Sequence, residues 1–242
     1  MSTSIENSAD TSPSAFATLI SAFSEPSKAF DAVVQRSMVW LPLLSIIGAS
    51  LLLIVWYYQT VDIGWLQDRL TATVTDPVAR EGAKGFMKRS TLTSIGAVGV
   101  LVAVPAMFAI TALYFSIVAK IKKLEFGFGK WFAFVVWASV PTLLTLPLGG
   151  LQILLANNGQ LEPGQLNPVS LNSLIFHIGT GLRWASLMDS ISLITLWTML
   201  LTVIGYQRWS KASRASSIAV VVIPYALIYG IWAAVSLMSK AA

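Results

Sequence analysis

Cysteine is absent from this chain of 242 residues. That excludes disulfides, thiolate zinc sites and cysteine nucleophiles. Histidine occurs once, as His177. A catalytic zinc site takes three protein ligands, commonly two or more of them histidines, and this chain does not supply them. Ser170, Ser173 and Asp189 lie near His177 in sequence, but nothing in their spacing makes them converge on it as a nucleophilic triad. His177 reads as a loop histidine. No glycine-rich phosphate cradle is present, because Gly127-Phe128-Gly129-Lys130 lacks P-loop spacing. Charge is also scarce, at 11% of residues, where soluble domains carry about 25%. No catalytic residue, metal or cofactor is expected, and no enzyme.

What the chain has is long apolar runs. Hydrophobic residues make up 55% of it and its mean hydropathy is +0.72. Five stretches carry no charge: Ser37 to Val61, Ser90 to Ala119, Trp131 to Leu161, Ser190 to Gln207 and Ala215 to Ser239. A helix rises ~1.5 Å per residue and a bilayer core is ~30 Å thick, so ~20 apolar residues suffice to cross. Barrel strands would be shorter and would alternate with polar residues. The expected fold is all-α, an integral membrane bundle of five transmembrane helices. The spans are placed at 39–59, 92–119, 131–155, 187–207 and 216–238, within a membrane domain over 39–239. Little room is left for a soluble catalytic domain.

The distribution of charge sets an expected orientation. Nine of the sixteen Lys and Arg residues lie before the first span or in the two short loops after the second and fourth spans. The short loops carry Lys120, Lys122, Lys123 and Lys130, then Arg208, Lys211 and Arg214, against Glu125 alone. Short basic loops stay cytoplasmic. The N-terminus is therefore read as cytoplasmic and the C-terminus as outside, with the basic end of the first loop (Lys84, Lys88, Arg89) standing against this. These seven basic residues are also candidate contacts for anionic lipid headgroups; setting topology alone is the plainer reading. None of them points to nucleic acid, because they border apolar runs. Trp40, Trp56-Tyr57-Tyr58, Trp131, Trp184, Tyr206 and Trp209 mark span borders, where amphipathic rings settle. Pro105, Pro141, Pro147 and Pro224 fall inside spans and predict kinks.

Residues 1–11 are polar and read as a disordered tail. Residues 12–38 form two short amphipathic helices, with Phe16, Leu19, Ile20 and Phe23 on one face of the first. That face is expected against lipid or against the bundle. The third loop, from Asn157 to Leu187, contains an apolar piece, Leu171 to Leu182, too short to span and expected to be re-entrant or interfacial. Arg183 and Asp189 follow at the outer mouth of the fourth span. A carboxylate in the first turns of a helix is favoured by its dipole; a ligand or proton role for Asp189 is the sharper alternative.

Several short motifs occur in a recognisable order. Glu25-Pro26 with Phe30 precedes the first span, and Trp137-Ala138-Ser139-Val140-Pro141 lies in the third. Asp189 to Trp197 and Ile204-Gly205-Tyr206 lie in the fourth, and Ser210-Lys211-Ala212-Ser213-Arg214-Ala215 leads to the last. Together they resemble the Ypt-interacting-protein (Yip) domain family of five-span membrane proteins, in its bacterial branch, from about Phe16 to Met238. The resemblance implies the fold and a bacterial cytoplasmic (inner) membrane address. Eukaryotic relatives bind small GTPases and carry Asp-Leu-Tyr-Gly-Pro before the first span. This chain has Met38-Val39-Trp40-Leu41-Pro42 there, so GTPase binding does not carry over. The expected function is non-enzymatic: organising a membrane complex or a local lipid environment, with membrane lipids and other membrane proteins or further copies as partners. The alternative is a transport component, either a small permease or an accessory subunit of an exporter.

Overall fold

The computed structural model describes residues 14–238; the tail expected at 1–11 lies outside them. Eleven α-helices occur among the described residues. Two short ones, α1 (Ala15–Ser24) and α2 (Pro26–Gln35), precede the first crossing, α3 (Trp40–Thr60). Ser14 caps α1 by accepting from the Ala17 amide, and Pro26 opens α2, where a missing N–H costs nothing. Two small helices, α4 (Ile63–Leu70) and α5 (Pro77–Phe86), fill the first loop. The second crossing is α6 (Arg89–Ile121). The third is α7 (Phe128–Ala138) and α8 (Thr145–Leu155), joined by a 3-10 segment over Val140–Leu144 at the expected Pro141 kink. After the third loop come α9 (Ala185–Ser190), α10 (Leu193–Ser210) and α11 (Arg214–Met238).

Four helical units are long and apolar enough to cross a membrane: Trp40–Thr60, Arg89–Ile121, Phe128–Leu155 and Arg214–Met238. The fifth charge-free run forms α10, which is not among them. Its 18 residues cover ~27 Å, and polar Gln207 and Arg208 dilute its C-terminal end. It nevertheless runs the height of the bundle. Its first residues pair with Val169–Leu171 at one end, and Arg208 meets Asp31 of α2 at the other.

A continuous helix over 187–207 does not form. The chain breaks at Ile191-Ser192, between α9 and α10. The Leu171 amide donates to the Ile191 carbonyl at 2.7 Å, and the Leu193 amide to Val169 at 3.0 Å. The third loop thus satisfies the backbone groups that the break frees, which the membrane interior demands. Asp189 consequently lies at the C-terminal end of the six-residue α9, so the favourable dipole of a helix start does not apply to it.

The packed centre is the α7–α8 unit. Its most apolar stretch is 56% buried, against 6% for α6 and for α11, which turn most of their side chains outward as lipid requires. At the α2 end, Trp131, Phe134, Phe115, Tyr206 and Trp209 make one connected aromatic cluster, with Phe30 of α2 tilted against Phe134 at 5.3 Å. Gly205 is needed here: a Cβ on it would stand 2.6 Å from Phe134 and 2.8 Å from Phe30. At the opposite end, a smaller cluster joins Leu53, Tyr57, Val61, Leu66, Ile153 and Leu161.

The N-terminal helices are docked on the bundle. Phe30 and Val33 are buried. The Trp209 indole donates to the Phe30 carbonyl at 3.1 Å, and Lys130 donates to the Val34 carbonyl. Arg208 grips Asp31 with two bonds of 2.8 and 2.7 Å. In α1 the buried residues are Thr18 and Ala22, with Leu19 and Phe23 partly covered, while Phe16 and Ile20 remain exposed. The expected apolar face is therefore split. Small residues let α1 approach closely, and half of its apolar stripe points away from the protein.

Candidate functional site

The seven basic candidates sit at the α2 end but do different things. Lys130 and Arg208 hold α2, as described. Lys120, Lys122, Lys123, Lys211 and Arg214 are exposed and make no ion pair among the described residues. Lys123 and Lys211 follow the ends of α6 and α10 with φ of 56° and 54°, the left-handed geometry that commonly closes a helix. Cations near a helix C-terminus are also favoured by its dipole.

The first-loop basic residues are tied differently. Lys84 bonds Asp68 at 2.6 Å, with Arg80 at 3.9 Å from the same oxygen. Arg89 donates to the carbonyls of Tyr58 and Val61. Arg69 reaches 93 residues along the chain to Glu162.

That last pair opens onto a cavity of about 390 Å³ at the end away from α2. Its wall is built by three segments. Asp62 caps α4 by accepting from the Trp65 amide, which aims Arg69 of that helix at the third loop. Glu162 begins a capping box: its own amide donates to the Gln165 side chain. This fixes Glu162-Pro163-Gly164-Gln165 as one wall. The third segment is a π-helical turn, Asn172–Phe176, followed by His177 in the left-handed region at φ 54°. Asn172, which is buried, ties that turn together by accepting from the Ile178 amide and donating to the Ile178 carbonyl.

The two carboxylates in this cavity differ. Both oxygens of Glu162 are engaged, one by Arg69 and the other by the Thr180 amide at 2.8 Å. Burial would raise its pKa, but the hydrogen bonds from Thr180 and Arg69, and the Arg69 charge, hold it below the ordinary value. Asp189 accepts from Asn172 at 2.9 Å through one oxygen only. Burial raises its pKa, the Asn172 bond opposes this, and the negative charge of Glu162 adds to the rise. The other oxygen lies over Gly164, where a Cβ would stand 2.4 Å from it. Any larger residue at position 164 would displace Asp189.

Arg183 and Asp189 therefore part company. Asp189 joins the cavity, and Arg183 reaches the Leu237 carbonyl near the end of α11. His177 stands exposed at the cavity rim. Arg69, Glu162 and Asn172 are the residues that sequence reasoning passed over. One signal was available: Glu162 is the lone acidic residue between Glu125 and Asp189. Leu174, Ile175, Phe176 and Leu182 beside the cavity are all exposed, as an interfacial segment would be.

The Yip1 domain family matches residues 20–235. The chain belongs to that family. It is an all-α, multi-pass integral membrane protein, and the motifs that carried the resemblance now have places. Phe30 and Gly205 meet Phe134, and Pro141 opens the 3-10 break in the third crossing. A search of curated proteins and a search of solved structures each returned no match.

Proposed function

We propose that this Yip1-domain protein is non-enzymatic and organises a membrane complex or its local lipid from the α2 end, which faces the cytoplasm of a bacterial inner membrane. One observation carries the reading. Exposed Lys120, Lys122, Lys123, Lys211 and Arg214 share the end of the bundle at which exposed Phe16, Ile20 and Trp40 stand. Basic and apolar groups side by side are the chemistry that engages an anionic leaflet. Of the five basic residues of the first loop, Arg69, Arg80, Lys84 and Arg89 are spent instead on Glu162, Asp68 and backbone carbonyls, which leaves Lys88, itself exposed. Anionic lipid and other membrane proteins, including further copies, are the partners this surface suits.

The test is lipid retention. The protein is extracted from nanodiscs holding equal anionic and zwitterionic phospholipid, and bound lipid is counted by native mass spectrometry. At about 1 kcal/mol per charge, each neutralised cation should weaken anionic retention about fivefold. Replacing Lys120, Lys122 and Lys123 with Gln should remove most of it. Unchanged retention would overturn the reading. Orientation is tested separately, because a chain without cysteine accepts single labels cleanly. Gln160→Cys should react with an impermeant thiol reagent in intact cells, and Ser213→Cys should not.

The transport alternative draws on the cavity at the opposite end. Below that cavity, however, Leu53, Tyr57 and Ile153 are buried together, and the aromatic cluster fills the bundle towards α2. Substrate flux in sealed vesicles would restore the alternative.

A further inference from the structure

The cavity between α4, α9 and the third loop has an unbalanced charge. Its lining includes one full positive charge, on Arg69, and two carboxylates, on Glu162 and Asp189. Arg69 is committed to Glu162. The polar wall is otherwise satisfied from within. Glu162 accepts from Arg69 and Thr180, Gln165 accepts from the Glu162 amide, and Asn172 serves Ile178 and Asp189. What remains is the second oxygen of Asp189, which lies over Gly164 and has no donor among the described residues. A half-buried carboxylate beside a like charge is costly unless something positive meets it.

The guest can be narrowed by size and by donor geometry. A cavity of about 390 Å³ falls within the ~300–1,000 Å³ of small-ligand sites. Among the described residues no three acidic or histidine side chains are grouped to hold a metal ion, so the ligand set of a zinc-type site is not formed there. Among the described residues, the groups left over include acceptors as well as the side-chain N–H2 donors of Gln152 and Gln165. The His177 Nδ1 lies 3.1 Å from the Ile175 carbonyl. The Gln152 side chain adds a carbonyl oxygen to the lining. One carboxylate oxygen without a donor, beside a second carboxylate already paired to Arg69, suits a guest with a positive charge and N–H groups to donate.

We propose that this cavity binds a primary ammonium group, with Asp189 as its counter-ion. Two sources carry that chemistry: the headgroup of an aminophospholipid and a free small amine. The exposed Leu174, Ile175, Phe176 and Leu182 lie along the same loop and give a lipid tail an apolar surface beside the headgroup site. The proposal does not use the basic face at the α2 end, so it stands or falls separately from lipid organisation there.

The test uses the full-length protein in nanodiscs made of equal phosphatidylethanolamine and phosphatidylcholine with matched chains. Native mass spectrometry should find the ethanolamine lipid retained at least fivefold over the choline lipid, because a quaternary ammonium has no N–H to donate. Asp189→Asn should abolish that preference. This variant keeps the shape and the acceptor for Asn172, so it is expected to fold, and an unchanged melting temperature checks this. Gly164→Ala, which forces Asp189 aside, should also abolish it. Replacing Lys120, Lys122 and Lys123 with Gln should leave it intact. In a second arm, free ethanolamine is added to the protein in phosphatidylcholine discs. An Asp189-dependent rise in melting temperature there, without lipid preference in the first arm, assigns the site to a soluble amine. Lipid preference alone assigns it to the headgroup. Absence of both effects, or either effect persisting in Asp189→Asn, would overturn the proposal.

Discussion

The two ends of this bundle are held together by different chemistry. At the α2 end, rings from α2, α6, α7 and α10 interlock, and Trp131, Phe134 and Tyr206 have no exposed surface. At the other end, an ion pair, a capping box and side-chain bonds to backbone carbonyls tie loops to helix ends. The first is a packed solid in which shape decides. The second is a polar lattice in which each bond has a named partner. The contrast teaches where function has room: the close-packed end offers only its outer surface, and the polar end encloses a cavity.

The largest test of this contrast is truncation. Phe134→Ala removes a ring shared by Phe30, Phe115, Trp131 and Trp209. Loss of a buried Phe costs about 3–5 kcal/mol. Thermal unfolding in detergent should show a large fall, with protease access appearing early in α2. Leu66→Ala, equally buried at the other end, sits in a smaller cluster. It should fall at the low end of the ~2–5 kcal/mol range for such changes and leave α2 protected. Equal losses would mean that the two ends are not mechanically distinct.

A subtler test makes one change at both ends. The Tyr57 hydroxyl donates to the Leu161 carbonyl at 2.8 Å and pins the third loop to α3. Tyr57→Phe should cost about 1 kcal/mol, since it also strands a buried carbonyl. The Tyr206 hydroxyl is buried and makes no well-formed hydrogen bond among the described residues, with the Ser210 hydroxyl as its polar neighbour. Tyr206→Phe should be neutral or stabilising by up to about 1 kcal/mol. Opposite signs in the melting temperature are expected. Matching losses would reveal a partner for Tyr206.

How much of this was legible in the sequence follows from the same contrast. Lipid demands long charge-free runs, and α3, α6, the α7–α8 unit and α11 fall on four of them. Pro141 announced its own break. The break at Ile191-Ser192 could not be read, because those residues are as charge-free as the helix around them and the cause lies in Val169–Leu171. On α1 the stripe alone did not say which residues meet the bundle: burial followed the small residues, Thr18 and Ala22, while Phe16 and Ile20 stayed exposed. The basic loops were visible, but nothing distinguished Arg208 and Lys130, which hold α2, from their exposed neighbours. The cavity was least legible of all. Arg69, Glu162 and Asp189 come from distant segments with no motif between them, and only the fold brings them together.

The smallest expected effect, and the sharpest discriminator, is pH. Asp31 is held below the ordinary 3.8 chiefly by its hydrogen bond from Arg208, with burial opposing and the Arg208 charge assisting. A depressed folded pKa gives stabilisation that is complete above the unfolded value and lost as pH falls through the folded one. The α2 clamp should therefore hold until pH drops below 3.8. Asp189 has the opposite sign. Its pKa is raised above 3.8, so the fold favours its protonated form, and that contribution is present below 3.8 and lost as pH rises through the raised value. Glu162, Arg69 and His177 are the charged or titratable groups lining the same cavity. Glu162 is shifted the opposite way, to below 4.5. On acidification from neutrality the cavity should lose one negative charge first, and α2 should loosen only afterwards. Carboxyl signals in isotope-edited infrared spectra report the first step, and pepsin cleavage within α1 and α2 reports the second. Asp189→Asn should delete the first step without moving the second. Arg208→Gln should raise the second towards 3.8 without touching the first. If α2 is released before Asp189 protonates, the two ends are coupled, and the division drawn here between a packed end and a polar end does not hold.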